Sequence, residues 1–234
     1  MRVPADKKNL LRQTALFRDL EDPILELLLK GSAEKLLARD EILFLAGDEA
    51  AGLYVILEGS VRAFRTASDG REQVIHVEKA VTTIAEVPVF DNGAYPSTVA
   101  AEEESRVLFI AKEKVQAACL KHPQLAIAAA RLFAWRLRQC AELVESLSLR
   151  EVGQRLAQFL LEQAEKIGTA SGTGISFRQQ LTHNQLAARI GTVREVVSRV
   201  MFRLQQQGLV VAKGKLITIP DPSALERYAG MEES

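Results

Sequence analysis

Two short helices joined by a tight turn are predicted for residues 181–209, which read LTHNQLAARIGTVREVVSRVMFRLQQQGL. Two residue pairs with capping-box spacing predict where these helices begin: Thr182 with Gln185, and Thr192 with Glu195. Gly191 predicts the end of the first helix, because glycine is favoured just beyond a helix C-terminus. These signals predict a helical hairpin over this segment. The alternative to a binding role is that the hairpin is purely structural, with ordinary helix caps.

The second predicted helix has a polar face and an apolar face. Its polar positions follow the i, i+1, i+4, i+5 spacing of one helix face and are Arg194, Glu195, Ser198 and Arg199. The opposite face consists of Val196, Val197, Val200, Met201 and Leu204. Arginine can pair with O6 and N7 of guanine in the major groove, so the four polar residues are candidates for base contacts in DNA. Glu195 has a second interpretation, since it could serve only as a capping-box carboxylate.

Basic side chains are concentrated around this hairpin, although the chain of 234 residues has a formal net charge of +0. Residues 176–215 carry seven Lys or Arg side chains against one acid, Glu195. Residues 1–148 carry 19 basic and 22 acidic side chains. A basic patch confined to one module is typical of contact with phosphates, and the alternative is an ordinary solvated surface.

A β-hairpin is predicted directly after the second helix, in the run VVAKGKLITIP, with Gly214 at its turn. This is the position of the wing in a winged helix, from which lysines can touch the DNA backbone without reading its sequence. The candidates for phosphate contact are Thr182, Gln185, Thr192, Lys213 and Lys215.

Length and composition allow two domains, each with its own core. No apolar run reaches about 18 residues and the N-terminus lacks the apolar core of a signal peptide, so no membrane partner is expected. Two cysteines, Cys119 and Cys140, give no disulfide framework and fit a reducing cytoplasm. The stretch 168–174, rich in Gly and Thr, is predicted to be a loop inside the second domain.

Short runs rich in Val, Ile, Leu and Phe, separated by turn residues, predict a β-domain between residues 41 and 110. The predicted strands cover residues 42–45, 53–57, 61–66, 73–77, 97–101 and 106–110. Regular short strands with Gly and Asp turns favour a sandwich or barrel. Residues 23–35 are predicted to form a helix packed on this domain.

The longest helical pattern runs from Pro123 to Leu149. One apolar stripe has heptad spacing and, after Ala126, consists of Ala130, Phe133, Leu137, Cys140, Val144 and Leu147. A second stripe, beside it, consists of Leu125, Leu132 and Leu143 and could face the β-domain. We interpret the first stripe as the seam of a homodimer, because a symmetric dimer reads two half-sites at once. A core helix within a single chain is the alternative.

The order of β-domain, long helix and winged helix resembles the cAMP receptor protein/FNR (Crp/Fnr) superfamily of bacterial transcription factors. Residues 43–48 (LFLAGD), 53–61 (LYVILEGSV) and 69–72 (DGRE) resemble strands and turns of its β-roll, and residues 191–199 (GTVREVVSR) resemble its recognition-helix motif. The similarity covers residues 10–228. It implies an α+β protein with an N-terminal β-roll, a jelly roll like that of cyclic-nucleotide-binding domains, followed by a long central dimerisation helix and a C-terminal winged helix-turn-helix.

The resemblance implies an effector domain at residues 1–121, a dimerisation helix at 122–149 and a DNA-binding domain at 150–234. It implies a homodimeric, sequence-specific transcription regulator whose binding to double-stranded DNA is modulated by a signal in the β-roll, and it leaves RNA polymerase open as a further partner. Relatives with a Glu-x-x-Ser-Arg pattern read TTGA-like half-sites in an inverted repeat. Arg194 could shift this preference towards GTGA.

The candidate effector pocket departs from the pattern of relatives that bind cAMP, which have a glycine–glutamate pair for the ribose and an arginine for the cyclic phosphate. The corresponding residues here, with those that would meet the purine, are Ala85, Glu86, Tyr95, Pro96, Ser97, Cys140 and Ala141. Tyr95 stands where the arginine is expected, and no arginine lies between Glu86 and Arg106. Because a phosphodiester would lose a charge-assisted contact, cAMP is not expected as the effector, which stays unidentified. Glu86 could also be a surface or loop carboxylate.

The sequence indicates no cofactor. An iron–sulfur cluster of the FNR kind needs several cysteines near the N-terminus, where this chain has none. Haem ligation by His76 stays open, but no other residue supports it. No cluster of metal ligands occurs, and Cys140 is interpreted as a small packed residue rather than a redox centre.

Two other classes of function compete with a DNA-binding regulator. A ligand-sensing subunit could use the winged helix to contact a protein, and the steep salt dependence of DNA binding would separate this from the first interpretation. An enzyme is not expected, because the chain has no Ser/His/acid set, no metal-ligand cluster and no phosphate-binding loop.

Overall fold

The computed structural model describes residues 5–171 and 174–231. The chain divides into two compact units. The first comprises the residues up to Arg65 together with Ile75–Cys140, and the second comprises Thr66–Val74 together with the residues from Ala141 onward.

The first unit is built on two four-stranded sheets. The strands are β1 (Ala33–Leu37), β2 (Ile42–Phe44), β3 (Gly52–Glu58), β4 (Ser60–Thr66), β5 (Glu72–Lys79), β6 (Thr82–Ile84), β7 (Thr98–Ala101) and β8 (Ser105–Ala111). The strand orders are β1-β8-β3-β6 in one sheet and β2-β7-β4-β5 in the other. The helices are α1 (Ala5–Gln13), α2 (Asp22–Leu29), α3 (Val87–Asp91), α4 (Lys112–Lys121) and the long α5 (Pro123–Leu149), of which the residues from Ala141 onward belong to the second unit.

Strand β3 is apolar along nearly its whole length because both of its faces are buried. Leu53, Val55 and Leu57 belong to a core shared with helices α1, α2 and α4. Ile56, which points the other way, belongs to the core between the two sheets, together with Val99 of β7. Each such side chain contributes roughly 1.5–3 kcal/mol by leaving water. The layers are therefore helices, sheet and sheet, as the predicted β-roll requires.

The helix predicted for residues 23–35 is too long. Helix α2 ends at Leu29, and Gly31 adopts a left-handed φ of 74°, which reverses the chain. Residues 33–37 then form β1, an edge strand with four of its five side chains exposed, so it lacks the apolar alternation that would have revealed it. Strand β6 is also unpredicted, because it has only three residues. The other predicted strands are present, with ends shifted by one or two residues.

Helix α5 spans the predicted residues. Leu125, Ala129 and Leu132 are buried, and Arg136 continues this inner stripe at the same spacing. Five residues of the predicted seam are exposed in the single chain: Ala126, Ala130, Leu137, Cys140 and Val144. Phe133 and Leu147 are half-buried. The seam is therefore not a core stripe of the single chain.

The second unit holds α6 (Val152–Ile167), β9 (Thr169–Ser171), β10 (Gly174–Arg178), α7 (His183–Ile190), α8 (Arg194–Gln206), β11 (Val211–Lys213), β12 (Leu216–Ile219) and α9 (Pro222–Ala229). Its sheet has the order β11-β12-β10-β9, and its core includes Leu160, Val197 and Leu204. The loop predicted for residues 168–174 is wrong at both ends, because residues 169–171 form β9 and Gly174 begins β10. Residues 172–173 lie outside the described residues. Among the described residues, no helix has the length and apolarity needed to cross a bilayer.

Candidate functional site

Helix α7 begins at the predicted capping box. The backbone N–H of Gln185 donates to Oγ1 of Thr182 over 3.3 Å, and the backbone N–H of Thr182 donates to Oε1 of Gln185 over 2.9 Å. The helix ends at Gly191, whose left-handed φ of 68° lets the chain turn towards α8. The first half of the predicted hairpin is thus confirmed.

The second predicted capping box does not form. Helix α8 begins at Arg194, with Val193 as its N-cap and no side-chain cap hydrogen bond. The backbone N–H of Thr192 instead donates to the carbonyl oxygen of Ala187, which places Thr192 in the turn, one residue too early for the box. Glu195 is therefore not held as a capping carboxylate, and its side chain is exposed on the outer face of α8.

Helix α8 is amphipathic in the predicted sense. The inner side chains Val197, Val200, Met201 and Leu204 are buried. The predicted base-contacting side chains Arg194, Glu195, Ser198 and Arg199 are all exposed, on the side that faces away from the core. A helix that buries one face in its own domain and exposes arginines on the other fits the width of the major groove.

Two neighbours of this polar face were not found from the sequence. Nδ1 of His183, at the start of α7, lies 2.9 Å from Oγ of Ser198, so the Ser198 hydroxyl is held from the preceding helix. Phe202 is 62% exposed one turn after Ser198, beside Arg199 and Arg203. An aromatic ring left on the surface beside arginines interrupts the apolar/polar pattern of α8, and that interruption is the signal that could have revealed it.

Strands β11 and β12 form the predicted hairpin, with Lys213 paired opposite Leu216 and Gly214 in a left-handed turn. Lys213 and Lys215 are exposed at its tip. Of the other candidates for phosphate contact, Thr182 is exposed, while Gln185 and Thr192 are half-buried. The Oε1 atom of Gln185 is occupied by the α7 cap, so only its amide nitrogen is available to a phosphate.

A cavity of about 830 Å³ lies in the first unit, between β5, α3 and the inner side of α5. Its walls include the apolar side chains of Val87, Phe90, Phe133, Trp135 and Leu137. Its charged residues are Glu78, Asp91 and Arg136, and His76 lies beside Glu78 on the same strand.

Three predicted pocket residues, Pro96, Ser97 and Cys140, line this cavity, whereas Ala141 is not part of its wall. Tyr95 does not line it either, because its ring stacks on Phe44 in the core at a centroid distance of 3.8 Å. The Tyr95 hydroxyl donates to the carbonyl oxygen of Gly52. The position predicted to match the arginine of cAMP-binding relatives is thus a core position.

Ala85 and Glu86 lie behind the cavity wall. Ala85 has a left-handed φ of 69°, a conformation that favours glycine. Glu86 is 2% exposed, so it is not a surface carboxylate. Its Oε1 accepts from Oγ1 of Thr83 over 2.5 Å and from Nη2 of Arg136 over 3.3 Å.

Arg136 is the cavity residue that sequence reasoning missed. Its Nη1 donates to Oε1 of Glu78 over 2.7 Å, and its Nη2 donates both to Glu86 and to the carbonyl oxygen of Thr83. The guanidinium approaches Glu86 from α5, 50 residues along the chain, and not from the loop after Glu86. Its place on the inner stripe with Leu125 and Leu132 was the available signal, because a charged residue on a buried stripe needs a partner.

The electrostatics of this cluster follow from its burial. Burial lowers the pKa of the Arg136 guanidinium, but the carboxylates of Glu86 and Glu78 outweigh it and the net shift is upward. Burial raises the pKa of Glu78, against the opposing charge of Arg136. Burial, assisted by Arg136, lowers the pKa of His76 to about 4, so His76 is neutral near pH 7. Nε2 of His76 and Nε of Arg136 are buried without a hydrogen-bond partner in the described structure.

Within the described part of the chain, no group of three or more His, Cys, Asp or Glu side chains is arranged to hold a metal ion. Cys140 lines the cavity and is exposed in the single chain, so its predicted packing on the dimer seam stays a prediction. Cys119 is half-buried, and burial raises the pKa of its thiol, which makes it a poorer nucleophile.

Comparison with known proteins gives matches in both units. Residues 34–122 match a model described as a cyclic nucleotide-binding domain, and residues 154–228 match a Crp-like helix-turn-helix domain. The chain is 29% identical to the cyclic AMP receptor protein of Thermus thermophilus over 94% of this chain and 98% of that one. It is 26% identical to a CRP-like cAMP-activated global transcriptional regulator of Mycobacterium tuberculosis, over 94% and 99% of the two chains.

A solved structure of a transcriptional regulator of the Crp/Fnr family from Eubacterium rectale superposes with a TM-score of 0.77, at 22% identity. The superposition covers 92% of this chain and 97% of that one. The fold, with a β-roll, a long helix and a helix-turn-helix in this order along the chain, is therefore shared over nearly the full length of both proteins.

Proposed function

Because this chain belongs to the Crp/Fnr family of DNA-binding transcription regulators, we propose that it works as a homodimer that reads an inverted repeat in duplex DNA. The observation that carries the proposal is the outer face of α8, where Arg194 and Arg199 are exposed above a buried apolar face. The relative from Mycobacterium tuberculosis is a transcriptional regulator by name, and we propose the same role for this protein, located in the cytoplasm and without catalytic activity.

The side chains that would contact base edges in the major groove are Arg194, Glu195, Ser198 and Arg199. Arg199 would grip a guanine through O6 and N7, while Glu195 would accept from the exocyclic amine of cytosine. Since no capping box engages Glu195, its carboxylate is available for this role. The half-site that suits this face is TTGA, or GTGA where Arg194 adds a second guanine contact.

Phosphate contacts would hold the helix in register without reading bases. Lys213 and Lys215 stand at the tip of the β11–β12 hairpin, and Thr182 stands exposed at the N-terminus of α7, where backbone N–H groups also favour phosphate. Thr192 and the amide nitrogen of Gln185 complete the set. These residues supply affinity that falls as salt rises.

Dimerisation would use the exposed stripe of α5. Leu137 is 71% exposed and Val144 is 62% exposed, and both are large apolar side chains at heptad spacing. We expect these exposed apolar side chains to be buried against a second copy of the chain. A dimer would also supply a second recognition helix, and one such helix alone contacts too few bases for tight, specific binding. RNA polymerase remains a further partner by family analogy alone.

The regulating signal would be received in the cavity beside α5. Leu137 and Cys140 belong both to the cavity wall and to the predicted dimer seam, so an occupant would touch the residues that set the dimer geometry. Cyclic AMP fits this cavity poorly. Pro96 and Ser97 supply no cation, and the one guanidinium present, Arg136, is already bonded to two carboxylates.

The proposal is tested by gel-shift titration against a 22-base-pair duplex with two TTGA half-sites in inverted repeat, where about 10 base pairs separate the half-site centres. A duplex of the same composition with scrambled half-sites is the control. We expect preferential binding to the palindrome at a stoichiometry of two chains per duplex. Binding that ignores sequence, or that does not weaken as salt rises, would instead favour a sensor subunit that contacts proteins.

A further inference from the structure

The polar atoms of the effector cavity are arranged for a particular class of ligand. Among the described residues that line it, Arg136 is the only cationic side chain, and both Nη atoms are engaged, with Glu78, with Glu86 and with the carbonyl oxygen of Thr83. Asp91 adds a further carboxyl group to the wall. An anionic ligand would have to displace a buried carboxylate from Arg136, and would then lie close to the carboxylate it displaced.

An uncharged ligand would not have to displace these carboxylates from Arg136. The histidine in the wall, His76, is uncharged near neutral pH; its buried Nε2 makes no hydrogen bond among the described residues and lies 4.0 Å from Oε1 of Glu78. The Nε–H of Arg136 is likewise buried and unpaired in the described structure. Both atoms are shielded from solvent, so a ligand would reach them only if the two side chains shift. An unpaired buried polar group costs about 1–3 kcal/mol, which a hydrogen bond to the ligand would then recover. A ligand acceptor suits Arg136, and either a donor or an acceptor suits His76, depending on its tautomer.

The remaining wall is apolar and largely aromatic. Phe90 and Phe133 meet edge to face with ring centroids 5.4 Å apart, and Val87, Trp135 and Leu137 continue the same surface. Such a surface binds flat apolar bodies by burial and by ring contacts. A cavity of about 830 Å³ has room for a molecule of two or three rings.

From this geometry we infer that the effector of this protein is an uncharged small molecule with an aromatic or similar apolar body and a carbonyl or amide group, held by Arg136 and His76. The inference rests on the proposed function, which supplies the role of an effector. It deepens that function by excluding nucleotides, carboxylic acids and other anions as the ligand class.

The test uses two probes of one shape, biphenyl-4-carboxamide and biphenyl-4-carboxylate, which differ by a single charge. Their binding to the full-length protein is measured by isothermal titration calorimetry, and Trp135, the only tryptophan of the chain, reports occupancy through its fluorescence. We expect the carboxamide to bind at least about tenfold more tightly than the carboxylate and to shift the Trp135 emission. Equal affinities, tighter binding of the carboxylate, or no binding of the carboxamide would overturn the inference.

Two variants identify the cause of the preference. Glu78→Gln keeps the side-chain shape but removes the negative charge beside Arg136. The variant should bind the carboxylate probe more tightly, so the ratio of the carboxamide affinity to the carboxylate affinity should fall several-fold. Glu113→Gln, at an exposed position on α4, is the matched control and should leave the preference unchanged. An unchanged preference in Glu78→Gln would show that the cavity charges do not select the ligand.

Gel shifts on the same preparation separate this inference from the proposed function. A protein that prefers the palindrome but binds no carboxamide leaves the proposed function standing and refutes the ligand class. A protein that binds the carboxamide but shows no sequence preference in DNA does the reverse.

Discussion

Arg136 on α5 donates a hydrogen bond of 2.7 Å to Glu78 on β5, 58 residues earlier in the chain. Both side chains are mostly buried, so each charge depends on the other for compensation. The pair joins β5, in the wall of the cavity beside α5, to the helix that carries the predicted dimer seam. It therefore ties β5 to α5 within the first unit.

Arg136→Leu should destabilise the first unit by about 3–5 kcal/mol, because it leaves Glu78 and Glu86 buried without their cation. The measurement is urea denaturation followed by Trp135 fluorescence. Arg131→Leu makes the same change at an exposed position of the same helix and should cost less than about 0.5 kcal/mol. Similar losses in the two variants would mean that the buried ion pairs contribute no specific stability.

The stability of the first unit should fall as the pH is lowered from 6.5 to about 4, through His76. Burial lowers the pKa of His76 to about 4 in the folded protein, below its ordinary value of 6.5. Between these values the unfolded chain binds a proton that the folded chain does not, so acidification favours unfolding, by on the order of 2 kcal/mol across the window. His76→Gln removes this contribution and keeps a polar side chain.

The quantity to measure is the difference in unfolding free energy between wild type and His76→Gln, at several pH values in that window. Glu78 has the opposite effect, because its raised pKa makes the folded state bind the extra proton above pH 4.5. This contribution is present in both proteins and largely cancels in the difference. Parallel pH profiles for the two proteins would contradict the prediction.

The helix-turn-helix was predictable from sequence because its signals are local. The Thr182–Gln185 cap, Gly191 and the apolar stripe of α8 all lie within one short segment, and each appears where expected. The failed Thr192–Glu195 box shows the limit of such signals. The Thr192–Glu195 spacing predicts a helix that begins at Val193. In the structure, Val193 is instead the N-cap after the Gly191 turn, and the helix begins one residue later, at Arg194.

The cavity beside α5 was only partly predictable because its groups come together through tertiary packing. Arg136 contacts Glu86, which lies 50 residues earlier in the chain, and no local sequence pattern around either residue predicts this contact. Tyr95 was placed in the pocket by counting along the chain. In the structure, stacking on Phe44 draws its ring into the core instead. Counting along a sequence fixes a residue's place on a strand or loop, but packing decides which way its side chain turns.

Replacing Leu137 and Val144 together by Glu should convert the protein from dimer to monomer, because opposing carboxylates would then face each other across the seam. Sedimentation velocity measures the change, and palindrome binding should fall at least about tenfold with it. Gln124→Glu, an exposed position on the opposite side of α5, is the control for added negative charge. A double variant that remains dimeric would place the interface elsewhere.

Replacing Lys213 and Lys215 by Ala should reduce the salt dependence of DNA binding. Each phosphate contact contributes about 0.9 to the slope of log K against log salt, so loss of both should reduce the slope by about 1.8. Affinity should fall equally for the palindrome and the scrambled duplex, because these contacts do not read bases. Lys30→Ala with Lys121→Ala, both at exposed positions of the first unit, should leave the slope unchanged.

Arg199→Ala should abolish the preference for the palindrome while leaving weak, salt-sensitive binding. The lost bidentate contact corresponds to about 1–3 kcal/mol of discrimination at each half-site. Arg227→Ala, at an exposed position on α9, removes the same charge without removing a base contact and should keep the preference. Substituting 7-deazaguanine for the half-site guanine removes the N7 acceptor and should weaken wild-type binding by a comparable amount. It should have little further effect on Arg199→Ala, since that variant has already lost the contact. Additive losses from the two changes would show that Arg199 does not read this guanine.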